Sequence, residues 1–176
     1  MANIDKYIKH LALWEGTGYY VIPGDKGGPT KFGVTLNTYR QFFGMEKTAE
    51  DLKNMSMREW KYIFIYGFWG PVKADSIENQ SLATLIMDCC YMSGRKTSIK
   101  KIQRCLGGLD VDGIVGPKTL RVLNDFPEDC FYKIYQMRLN WFKAIVELVP
   151  TQKKFLRGWL NRLNSVKYIP TELQDD

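Results

Sequence analysis

The sequence predicts a mainly α-helical protein with one short β-hairpin near its N-terminus. Two observations carry that prediction. Apolar residues recur at intervals of three and four along most of the chain, the spacing that holds them on one face of a helix. Six of the fifteen glycines, with Pro23 and Pro29, are gathered between Gly16 and Gly33, where the only extended-looking piece is Tyr19-Tyr20-Val21-Ile22. The 176 residues allow one domain or two small ones, and 45% hydrophobic with 25% charged residues suffices for a packed core.

The elements follow in order. Ile4, Tyr7, Ile8 and Leu11 form one helical stripe with Asn3 as its cap, and the helix should stop near Glu15, before Gly16 and Gly18. The glycine-rich stretch forms the hairpin. Ser56-Met57-Arg58-Glu59 has the form of a capping box and opens a helix with Trp60, Ile63 and Phe64 inside, ending before Gly67 and Gly70-Pro71. Leu82, Leu85, Ile86, Cys89 and Cys90 mark the buried face of the next helix, which Gly94 terminates. Ile99, Ile102 and Leu106 make a shorter one closed by Gly107-Gly108. Turns at Asp112-Gly113 and Gly116-Pro117 precede a long amphipathic helix from Phe131 to Val146 that ends at Pro150, and a last helix carries Phe155, Trp159 and Leu163. With no internal repeat, the one candidate boundary lies near Arg95. It divides the chain into regions 1–94 and 95–176, whose amphipathic helices are expected to pack as one globule.

The net charge of +6 favours polyanionic partners without choosing among nucleic acid, anionic lipid and wall polymer. Arg95, Lys96, Lys100, Lys101 and Arg104 could face phosphates in a nucleic-acid binder, but a solvated helix face explains the run more simply. Cys89, Cys90, Cys105 and Cys130 lack the paired spacing of a zinc site and the density of a disulfide scaffold, so they read as reduced core thiols. Asp5, Lys6 and Lys9 interrupt the N-terminal apolar residues, so no signal peptide is expected there, and no stretch is long enough for stable membrane insertion. Synthesis in the cytoplasm is the expectation.

The chemistry points to Glu15 to Thr35. Each glycine adds an entropic cost to folding, so such a density serves close backbone approach better than core packing. A phosphate cradle requires Lys and then Ser or Thr directly after the glycine, whereas Gly28 is followed by Pro29, Thr30 and then Lys31. Glu15 stands at the C-terminal end of a helix, facing the negative end of the dipole, where the proton-carrying form of a carboxyl is favoured. That is the form a general acid needs, although Glu15 taken alone also reads as a solvated helix-end residue. Asp25 and Thr30 lie in the same loop, where a second polar group could position water, although Asp25 before a turn and Thr30 as a cap also have ordinary structural readings.

Glu15-Gly16 with Tyr19, followed by Asp25, Gly27-Gly28, Thr30-Lys31 and Gly33-Val34-Thr35, resembles the N-terminal signature of glycoside hydrolase family 108, the phage-type N-acetylmuramidases or endolysins. The resemblance implies a lysozyme-like helical fold and hydrolysis of the β-1,4 bond between N-acetylmuramic acid and N-acetylglucosamine in peptidoglycan. It implies Glu15 as catalytic acid, with Asp25 and Thr30 assisting it, and calls for no metal or organic cofactor. Family members read E-G-G-Y where this chain has Thr17 and Gly18 between Gly16 and Tyr19, and Met92 stands where an Asn is often found between Asp88 and Gly94. Tyr19, Tyr66 and Trp69, beside glycines and a proline, are expected to face sugar. Gln103 with Leu106, followed by Val111-Asp112-Gly113 and Gly116-Pro117, resembles small peptidoglycan-binding modules, which makes Asp112 a further binding candidate. The partner implied is peptidoglycan, not nucleic acid, reached from the cytoplasm after release. A non-catalytic wall-binding or secretion-accessory protein on the same fold is the alternative.

Overall fold

The computed structural model describes residues 1–15, 18–21 and 28–174. Two compact units emerge, Ile8–Gly67 and Met1–Tyr7 together with Phe68–Asp176. The described residues are mainly helical, with one small antiparallel sheet. Helix α1 (Ile4–Ala12) begins where the Asn3 side chain accepts the Asp5 N–H at 2.8 Å, the cap its sequence predicts.

In the Ile8–Gly67 unit, β1 (Tyr19–Tyr20), β2 (Thr30–Lys31) and β3 (Val34–Thr35) form a sheet in that order. Tyr20 pairs with Thr30, which pairs in turn with Thr35, so a two-residue connection, Phe32-Gly33, closes the β2–β3 hairpin. Both residues have positive φ, 48° and 73°, as the turn best matched to strand twist requires. Thr35 then caps α2 (Leu36–Phe43) by accepting the Thr38 N–H. Capping boxes open α3 (Ala49–Lys53), with Thr48 and Asp51, and α4 (Met57–Phe64), with Ser56 and Glu59. The second oxygen of Glu59 accepts the Tyr39 hydroxyl at 2.8 Å and ties α4 to α2 over a core that includes Leu52, Ile63 and Phe64.

The chain does not leave its helix at Gly67 as expected. It widens into a π-helical turn, Ile65–Trp69, and runs into α5 (Gly70–Val72), closing at Lys73 in the left-handed region. Pro71 falls in the first turn of α5, where a missing N–H breaks nothing.

In the other unit, α6 (Gln80–Ser93) is capped by Asn79 and buries every residue from Ser81 to Cys90. It packs on α7 (Arg95–Leu106) and α9 (Pro127–Leu148), and α9 in turn packs on α8 (Pro117–Asp125) and α10 (Lys153–Ser165). Gly94 and Gly107 end α6 and α7 with positive φ, as their sequence predicts. Asp88 on α6, 4% exposed, pairs with Arg162 on α10 at 2.7 Å, so this internal charge is matched. The four thiols are free, three of them fully buried. Burial pushes Cys89 up to about 12 and Cys105 and Cys130 up to about 11, and raises Cys90 further.

Candidate functional site

After α1 a last hydrogen-bonded turn carries the chain to Glu15, whose N–H donates to the Leu11 carbonyl at 3.1 Å. Half-buried Glu15 lines a cavity of about 50 Å³ with Ile8, Leu11, Ala12, Phe32, Met57 and Trp60. Three elements supply these residues: α1, the β2–β3 turn and the start of α4. Every lining residue but Glu15 is uncharged, and the space admits a few water-sized groups.

Each wall is held by an interaction that its local sequence sets up. Trp60 donates its indole N–H to the Phe32 carbonyl at 3.0 Å and stacks on Phe64, the ring centroids 5.6 Å apart. The Phe32 ring meets Trp60 edge-on at 6.5 Å. Lys31 sends its ammonium to the carbonyls of Lys53 and Met55, at 2.5 and 2.9 Å, and so fastens the hairpin to the end of α3. Of the Thr30-to-Thr35 segment Phe32 alone lines the cavity, while Lys31 anchors and Gly33 closes the turn that carries it.

The remaining sequence candidates are dispersed. Thr30 is half-buried on the strand leading to Phe32, its hydroxyl 3.5 Å from the Gly28 carbonyl. Tyr19 is half-buried on β1, opposite Lys31. Asp25 lies outside the described residues. Tyr66 is 60% exposed on the π-helical turn, its ring centroid 4.4 Å from that of Tyr62, so an aromatic pair is presented to solvent.

One expectation, that of Trp69, needs correcting, while Asp112 is exposed and holds its own turn through one carboxylate oxygen. Trp69 is 2% exposed, with its indole N–H on Asp75 at 2.6 Å and its ring 6.1 Å from Tyr7, so it offers no open face to a sugar. Asp112 uses Oδ1 to accept from both Gln103 Nε2 and the Ile114 N–H, each at 2.8 Å, while the Gly113 N–H donates to Gln103 Oε1. Those bonds from Gln103 and Ile114 hold its carboxyl below the ordinary range, and the group closes a turn against α7. Neither residue belongs to the unit that contains Glu15.

Phe32, Met57 and Trp60 are the site residues that sequence reasoning missed. A signal existed for two of them: the Ser56 cap fixes the start of α4, which places Met57 and Trp60, three apart, on one face.

Residues 8–94 match the family model of Glycosyl hydrolase 108, and residues 97–164 match that of a Predicted Peptidoglycan domain. Among solved structures, SagA of Brucella abortus is similar, with a TM-score of 0.76 and 28% identity over 92% of this chain and 90% of that one. No curated protein matches the chain in sequence.

Proposed function

We propose that this chain, whose residues 8–94 belong to the glycosyl hydrolase 108 family and whose residues 97–164 are of a predicted peptidoglycan domain, hydrolyses the β-1,4 bond between N-acetylmuramic acid and N-acetylglucosamine, with Glu15 as general acid. The two matches make it a peptidoglycan-acting, lysozyme-like protein. The observation that supports the finer reading is the carboxyl of Glu15 set among the apolar walls of Ile8, Leu11, Ala12, Phe32, Met57 and Trp60, beside the hairpin turn that the motif's Lys31 and Gly33 hold. In the proposed reaction the Glu15 proton passes to the glycosidic oxygen as the C–O bond breaks, and positive charge develops on the sugar left behind. Asp25, with Thr30, positions the water that completes hydrolysis. Tyr66, exposed beside Tyr62, supports an adjacent sugar by stacking.

The test is clearance of purified sacculi with analysis of the reducing ends released. The native protein should yield muramic acid ends. Glu15→Gln, which keeps the size of the side chain and loses its proton, should fold normally and release at most about a thousandth as much, within the range that acid catalysis supplies. Full activity in Glu15→Gln removes the assignment. A native protein that pelleted with sacculi and released no new ends would instead be an accessory wall binder.

A further inference from the structure

Away from Glu15, a groove of about 550 Å³ runs between α7 and α9, lined by Lys101, Arg104, Met137, Asn140 and Trp141 among others. Its charge is one-sided. The Lys101 ammonium lies 3.2 Å from the centroid of the Trp141 ring, and the Arg138 guanidinium lies 4.6 Å from the same ring and 4.5 Å from that of Phe142. Arg138 is 2% exposed. It donates to the Ser93 hydroxyl at 2.7 Å, and its Nη2 is buried without a hydrogen-bond acceptor. Among the described residues none of these three cations has a carboxylate partner, and no Asp or Glu lines the groove. Burial, followed by Arg138 and Arg104, depresses the Lys101 ammonium. Like charges held together in partly dry surroundings lose free energy when an anion joins them.

We infer that this groove is a carboxylate-recognition site for the peptide-bearing muramoyl unit of peptidoglycan, with Lys101 and Arg104 receiving the carboxylate and Trp141, Met137 and Asn140 contacting the neutral remainder. The identification of the ligand rests on the reading given above, because the groove residues all fall within the matched peptidoglycan domain. The apolar and amide lining beside the cations suits a ligand that is charged at one end only, and suits a polyphosphate poorly.

The test is calorimetric titration of the full chain at low salt with N-acetylmuramoyl dipeptide bearing a free carboxylate, and with the same compound amidated. The free acid should bind at least tenfold more tightly than the amide. Arg104→Glu, at an exposed position, should leave the melting temperature unchanged and weaken the acid at least tenfold, while Lys101→Gln weakens it severalfold. Equal affinity for acid and amide overturns the inference, as does undiminished binding by a folded Arg104→Glu. Tighter binding of poly(glycerol phosphate) or duplex DNA than of the muramoyl acid also overturns it. The two readings fail separately. Glu15→Gln should retain wild-type affinity for the acid, and hydrolysis that survived Glu15→Gln would remove the catalytic assignment and leave the groove result standing.

Discussion

Phe32 holds φ at 48°, a conformation that costs a bulky residue about 1 kcal/mol or more, while its ring and its carbonyl both engage Trp60. Strain of this kind persists where the surroundings over-determine it, and here they also form the wall beside Glu15. Asn tolerates left-handed backbone and lacks the ring. Phe32→Asn should therefore change unfolding free energy by less than about 1 kcal/mol, since relief of strain offsets lost packing, and should lower sacculus hydrolysis at least tenfold. Full hydrolysis by a normally folded Phe32→Asn would reduce the ring to a packing role. Of the candidate site, Glu15 was legible in the sequence through its place in a longer motif, because a helix-end Glu taken alone reads as an ordinary solvated residue. The work of Lys31 was not, since its acceptors, Lys53 and Met55, stand more than twenty residues away and only the fold brings them near.

At the scale of elements, the caps made most helix ends readable, because a cap needs only residues three or four apart. α4 is the clearest example. Burial alone would raise the Glu59 carboxyl, but the hydrogen bonds from the Ser56 backbone, the Ser56 hydroxyl and Tyr39 outweigh it and leave the group below its ordinary range. A group depressed in the folded state adds stability above its unfolded pKa, near 4.3 for Glu, and that stability fades as pH falls through the folded value. Glu59→Gln should accordingly lose about 1 kcal/mol at pH 7, and the gap to wild type should narrow as pH falls below the ordinary Glu range in chemical unfolding measurements. A pH-independent gap would assign the loss to packing. Where the chain departs from α geometry, sequence reading failed. Tyr66 and Trp69, three apart, would share a face on an α-helix, but the wider π-helical winding parts them, leaving Tyr66 outside and Trp69 in the core.

On the scale of the whole molecule, the sequence-level division and the packing follow different lines. The first family region ends at Gly94, after α6, and the second begins at Thr97 in α7, whereas contacts place both helices in one compact unit. The long buried run of α6 was visible as an apolar repeat, but which helices cover it was not, since neither α9 nor α10 is a sequence neighbour. The Asp88–Arg162 pair makes that dependence measurable. Removing one member of an ion pair this buried strands the other in a poorly solvating interior. Arg162→Met should cost about 3 to 5 kcal/mol, and pairing it with Asp88→Leu should recover part of that loss. Additive losses in the double variant would show that the charges do not depend on each other.

The four thiols give the molecule a built-in record of its own opening. A thiol reacts as thiolate, and with values pushed to about 11 and 12 at Cys105, Cys130 and Cys89 the thiolate is scarce at neutral pH. Cys89, Cys90 and Cys130 are also sterically shielded. Alkylation in excess reagent should then advance for these three in a single shared phase, at the rate at which the helical unit opens, and should accelerate together in Arg162→Met. Labelling of Cys89 long before Cys130 would reveal that the unit opens piecemeal. If it does not, chemical ageing becomes a clock for this protein: oxidative damage accumulates only during excursions from the native state, so folding stability sets its working lifetime in an oxidising medium.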